Sequence, residues 1–189
     1  MGLPRRLTVA LLGLLSVPAT ALAAVIGGTY YAPQYDYREF FAAADGRNFQ
    51  VILAGTAFPG VDPGLVAQSL LPMMQAAKPR PALTFTYADP PERPRPYYRL
   101  VLVFDPANDY GSNSVCAGIP PRFKPGRPGV FYVFAVYCRN DQVLSETTAW
   151  TPAAGPNDAR LRELFDQLFQ VIWSDSPALR PQLGGTDRR

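Results

Sequence analysis

Acidic side chains are the groups in this chain best suited to chemistry. Asp89, Asp105, Asp109 and Glu146 are the candidates, and two of them meeting in one cleft would supply the acid and the base for glycoside hydrolysis. Their spacing gives no pairing. Histidine is absent, which removes Ser-His-Asp and Cys-His catalysis, histidine-ligated zinc and histidine proton transfer. The lysines Lys78 and Lys124 lie in proline-rich sequence (AAKPRP and RFKPGRP), where a desolvated, low-pKa amine is not expected.

The densest group of oxygen donors lies in FDPANDYGSNSVCAG, residues 104–118, where Asp105, Asn108, Asp109, Ser112 and Asn113 precede Cys116. An EF-hand needs oxygen ligands at positions 1, 3 and 5, glycine at 6 and a carboxylate at 12. Gly111 at the sixth position puts Pro106 at the first and Ala117 at the twelfth, so the pattern does not match. Asp105 and Asp109 remain weak candidates for an irregular calcium site. Turn chemistry accounts for the same composition, because Asp, Asn, Ser and Gly gather where backbone reverses. No transition metal and no cofactor is expected.

Aromatics form the second candidate. TYYAPQYDY places Tyr30, Tyr31, Tyr35 and Tyr37 close together, and tyrosines can make a platform for a sugar or a protein partner. They are equally ordinary strand residues.

Arg5 and Arg6, the apolar run Leu7–Val17 and an Ala21-Leu22-Ala23 cleavage site read as a secretory signal peptide over residues 1–23. The run is too short for the roughly 20 residues of a membrane span. Cleavage removes Arg5 and Arg6 from 18 basic and 15 acidic residues and leaves a balance of +1. The pI near 9.0 is therefore no footprint for nucleic acid. No cysteine precedes Cys116, so lipid attachment at a processed N-terminal cysteine is not expected. In an exported protein the two cysteines, Cys116 and Cys138, are expected to form a disulfide. That bond requires either a parallel pair of strands or a loop that folds back along the sheet.

Twenty-one prolines mark where regular structure can lie, because proline donates no ladder hydrogen bond. Asp45-Gly46 predicts a hairpin over about 38–44 and 47–54, with a helix over 37–44 as the rival. Asp62-Pro63 opens a helix to about Ala77, with Pro72 interrupting or kinking it. LTFTYAD (83–89) alternates like a half-buried strand, and DPPERPRP (89–96) is an extended loop. YYRLVLVFD (97–105) is apolar on both faces, as a covered central strand would be. Two further strands flank Asn140-Asp141, and an amphipathic helix carries Leu161, Leu164, Phe165, Leu168, Phe169 and Ile172, capped by Asn157 or Asp158. The fold expected is α+β, a two-layer sandwich over 24–176, with a mainly antiparallel five- or six-stranded sheet and two helices on one face. Residues 177–189 read as a loose tail.

DGRNFQVILAG, YRLVLVF and FAVYCRNDQVLSE resemble a group of exported, lipoprotein-like proteins of Gram-negative bacteria. No activity comes with the resemblance. The expected role is a non-catalytic binding or accessory protein of the envelope, periplasmic or secreted. Its partner would be an envelope protein or a glycan, with no nucleic acid and no membrane span after signal cleavage. The alternative is a histidine-free, carboxylate-dependent hydrolase of envelope or extracellular polysaccharide.

Overall fold

In a computed structural model, residues 24–176 are described. The leader expected over 1–23 and the tail expected over 177–189 lie outside them. Two short strands, β1 (Val25–Ile26) and β2 (Tyr30–Tyr31), come first. The hairpin expected next does not form: Tyr37–Ala44 is a helix, α1. Its three alanines favour helix, and Phe40 and Ala44, one turn apart, are both buried. Asp36 caps it by accepting the Arg38 N–H at 2.9 Å. Gly46, at φ +67°, supplies the left-handed residue after the C-cap, so Asp45-Gly46 ends a helix rather than turning a hairpin.

β3 (Asn48–Ala54), α2 (Pro63–Ala77) and β4 (Thr84–Thr86) then form a strand–helix–strand unit. Asp62 accepts the Leu65 N–H at 3.0 Å, and the helix continues past Pro72 to Ala77. A helical crossover of this length returns the chain in the same direction, and β4 runs parallel to β3, with Phe49 opposite Phe85. β5 (Tyr98–Phe104) lies on the other side of β3 and is also parallel to it. The sheet is therefore mixed, not mainly antiparallel.

The rest is antiparallel. β5 pairs with β6 (Val130–Arg139), and β6 with β7 (Gln142–Pro152) through a turn in which Asn140 sits at φ +54°, a conformation asparagine tolerates. β1 and β2 both pair with β7. The order is β1-β7-β6-β5-β3-β4, seven strands including β2. With α3 (Ser112–Cys116) and α4 (Arg160–Ile172), the described residues hold four helices, not the two expected, in an α+β arrangement. None of them is long and apolar enough to cross a membrane.

One face of the sheet carries the main core. α1, α2 and α4 cover it, and all six stripe residues of α4 are buried there. Phe40 of α1 stacks on Trp173 just past α4, with ring centroids 4.6 Å apart. The N-cap of α4 is Ala159, not Asn157 or Asp158, and makes no side-chain cap bond; Asp158, one residue earlier, accepts the Arg160 N–H at 3.1 Å. Its side-chain bonds with the Arg160 guanidinium, together with two backbone N–H donors, hold its carboxyl below the ordinary carboxylate range.

The opposite face, here the back, holds a smaller cluster that includes Val101, Val103, Tyr110, Val115 and Val136. No long helix covers it. The 105–129 connection folds back across it instead, and α3 carries Cys116 to Cys138, with a Cα–Cα distance of 5.5 Å. Because Cys138 lies opposite Arg99 near the start of β5, the folded-back loop is the arrangement found.

The bond closes the chain between positions 22 residues apart, so replacing both cysteines with alanine should lower unfolding free energy by about 3 kcal/mol. Urea unfolding of the oxidised protein and the double variant measures this. Equal stability would show that the loop holds without the bond.

Candidate functional site

Asn140 fixes the entrance to β5. Its backbone N–H donates to the Tyr97 carbonyl at 2.7 Å, and its side-chain oxygen accepts the Tyr97 N–H at 2.9 Å. Its own carbonyl accepts from Arg99 Nη1 at 2.6 Å. Arg99 Nη2 reaches the Cys116 carbonyl, also at 2.6 Å. One guanidinium thus ties the β6–β7 turn and the end of α3 to the back of β5.

Arg99 is only 7% exposed, yet it makes no ion pair among the described residues. A buried cation is costly unless its charge is balanced. Burial holds its pKa below the ordinary arginine value; Tyr97 and Asp141 oppose this shift and Arg93 adds to it. The guanidinium lies 4.9 Å from the centre of the Tyr97 ring, and that of the exposed Arg93 lies 5.4 Å from it. Two cations therefore share one aromatic ring.

Two clefts meet at this stack. The first, of about 270 Å³, lies where the proline-rich link crosses β3. Gln50 Nε2 anchors the link there, donating to Asp89 Oδ1 at 2.6 Å and to the Ala88 carbonyl at 3.3 Å. Gln50 Oε1 and the Tyr97 hydroxyl, both buried on this side, have no hydrogen-bond partner among the described residues. The second cleft, of about 230 Å³, is floored by Ile52, Ala54, Val101 and Val103, with Arg93 and Arg99 among its lining. Ile119, 52% exposed, also lines it. A wider groove of about 510 Å³ adjoins the first cleft along Asn48, Pro94 and Tyr98, and another of about 570 Å³ lies around Tyr30 and Glu146. In the narrower of these, Glu39 is already bound by Arg139 at 2.7 Å and by the Tyr98 hydroxyl at 3.2 Å.

The tyrosine candidates do not share a surface. Tyr31 and Tyr35 are buried, their hydroxyls donating to the carbonyls of Val171 and Ser174 around the end of α4. Tyr37 donates to the Arg80 carbonyl at 3.0 Å, and exposed Tyr30 lines the groove that also holds Glu146. Segment 30–37 wraps a sheet end, which turns Tyr31 and Tyr35 inward.

The acidic candidates are also dispersed. Asp109 pairs with Arg122 at 2.5 Å, and both side chains are largely exposed. Asp105, 7% exposed, sits at φ +44° with its carboxylate against the Gly126 backbone, where a β-carbon would come within 2.4 Å of Oδ2. No group of three or more His, Cys, Asp or Glu that could hold a metal ion occurs among the described residues. The donor-rich stretch is tied down by its own turns: the Ala107 N–H donates to the Arg122 carbonyl, and the Tyr110 hydroxyl to the Ile119 carbonyl.

Composition and spacing did not point to Arg99, Arg93 or Gln50; Tyr97, with Tyr98, was visible only as a further pair of tyrosines. The available signal was Arg99 itself, a charge on one face of a strand otherwise apolar on both. No family model matches the chain, and no curated protein matches it.

Desolvation raises the Asp105 carboxyl pKa, against the pull of Lys124 and Arg127. The folded state then binds this proton more tightly than the unfolded state does. Stability is lost as pH rises from the ordinary carboxylate range through the raised value, and the cost is fully present above it. Asp105→Asn removes that charge and keeps a residue that accepts positive φ. Urea midpoints should show the variant more stable at pH 7 and equal to wild type near pH 3. A variant less stable at pH 7 would contradict this.

Tyr35→Phe removes a buried hydroxyl bonded at 2.8 Å to the Ser174 carbonyl and should cost about 1 kcal/mol. The same urea titration checks it, and an unchanged midpoint would show that the hydroxyl does not anchor this end of α4.

Proposed function

We propose that the chain is an exported binding or accessory protein of the bacterial envelope, working without a cofactor, and that its ligand sits in the back-face cleft of β3 and β5. One observation carries this reading. The apolar floor lies between two connections that are each fastened to the sheet, the 105–129 loop by the disulfide and Arg99, and the proline-rich link by Gln50. A concave, mainly apolar site with a few convergent polar groups is what a small ligand requires, and fixed walls lower the cost of ordering it.

Export is supported by the leader-like N-terminus and by a cysteine pair placed for a bond that persists in oxidising compartments. The hydrolase alternative requires two carboxyls in one cleft, about 5–9.5 Å apart. Asp89 and Glu146 line separate clefts, and Asp105 and Asp109 have different neighbours, so the positions of the acids support binding over hydrolysis.

Ala54→Phe would fill the floor without touching either arginine. Native mass spectrometry of protein isolated from the periplasm should show a small molecule retained by wild type and absent from the variant. Equal retention by both, or none by either, would count against the cleft.

A further inference from the structure

Resting on that reading of the cleft, we infer that its ligand is a small amphiphilic monocarboxylate, with the carboxylate at Arg93 and Arg99 and the apolar chain on Ile52, Ala54, Val101 and Val103. Charge supplies the first argument. The two guanidiniums at the Tyr97 ring have no carboxylate partner among the described residues. Among the described residues Arg99 donates to two carbonyls and Arg93 to none, so several of their ten N–H donors are uncommitted there. A guanidinium fork matches a carboxylate, and such charge-assisted bonds are about twice as strong as neutral ones.

The rest of the lining argues for a single negative charge and an apolar body. Apart from the arginines, the cleft is walled mainly by Val, Ile, Ala and Pro side chains, with Cys116 and Tyr110 at its α3 end. The Tyr110 hydroxyl is committed to Ile119 at 2.6 Å. The nearby cations on the loop are engaged elsewhere: Arg122 holds Asp109, and Lys124 donates to Asn108 and faces the Tyr132 ring. A phosphate or polyanion would therefore find no third cation, and its further oxygens would face the apolar floor. The volume, about 230 Å³, lies below the roughly 300–1,000 Å³ of drug-sized sites. A short acyl chain suits that space, and exposed Ile119 gives its far end an apolar rim.

The test uses the mature, oxidised protein and NMR of the Ile52, Val101 and Val103 methyl groups. The probes are hexanoate, octanoate and decanoate, with octanol and inorganic phosphate as comparators. One of the carboxylates should shift these methyls saturably, with octanol at least about tenfold weaker. Arg93→Gln, on an exposed loop, removes the cation without adding an anion beside Arg99 and should weaken the carboxylate about tenfold or more, with a smaller loss for octanol. Arg99 is unsuitable for this purpose because it also holds two carbonyls of the fold.

Octanol binding as tightly as octanoate would overturn the carboxylate assignment and leave the cleft reading intact. Phosphate binding as tightly as octanoate would overturn the apolar-chain assignment. If no probe moves the methyls, the inference falls, while a small molecule still retained by wild type and lost in Ala54→Phe would preserve the cleft itself.

Discussion

The structure depends on covering β5 from both sides. Its residues alternate between Leu100, Leu102 and Phe104 on one face and Val101 and Val103 on the other, and both sets are buried. Each such side chain is worth about 1.5–3 kcal/mol when removed from water. The helical face is straightforward, because α4 carries a continuous apolar stripe and α2 packs beside it. The other face has only an irregular, proline- and glycine-rich connection to cover it, and such a segment brings little core of its own. Its attachment comes from the Cys116–Cys138 bond, from Arg99 bridging two backbone carbonyls, and from Tyr110 closing onto Ile119.

That solution has a chemical consequence. Arg99 is buried where it serves the loop, and among the described residues its charge has no ion-pair partner. Arg93 adds a second cation on the same ring. The incomplete cover leaves Ile52 and Ala54, also on the cleft floor, half-buried beside them. The fastening of the loop and the proposed site therefore arise from one arrangement, in which the loop is fixed well enough to shape a cleft and is too small to fill it.

Much of this was legible in the sequence, and the gaps have physical causes. β5, β6 and β7 were visible because apolar and alternating strands of seven to eleven residues leave strong patterns, and α4 because its stripe follows the helical period. α1 was ambiguous because Asp-Gly serves both a hairpin and a helix end, and eight residues are too few for period alone to decide. The parallel pairing of β3 and β4 could have been inferred, since a helix of fifteen residues lies between them. β1 and β2, two residues each, leave no periodic trace. The arginine cleft was hidden for a different reason. Its parts come from β3, the proline-rich link, β5 and the disulfide loop, and only the register of the sheet brings them together.

The central claim is that the disulfide and Arg99 hold the 105–124 segment against the back of β5 independently of the main core. Native-state hydrogen exchange before and after reduction tests it directly, because local opening is read amide by amide. Reduction should sharply raise exchange at Ala107, Tyr110 and Lys124, whose N–H groups are bonded within that segment, while α4 and β7 stay protected. Unchanged protection at those amides, or equal loss across the whole sheet and α4, would contradict the account.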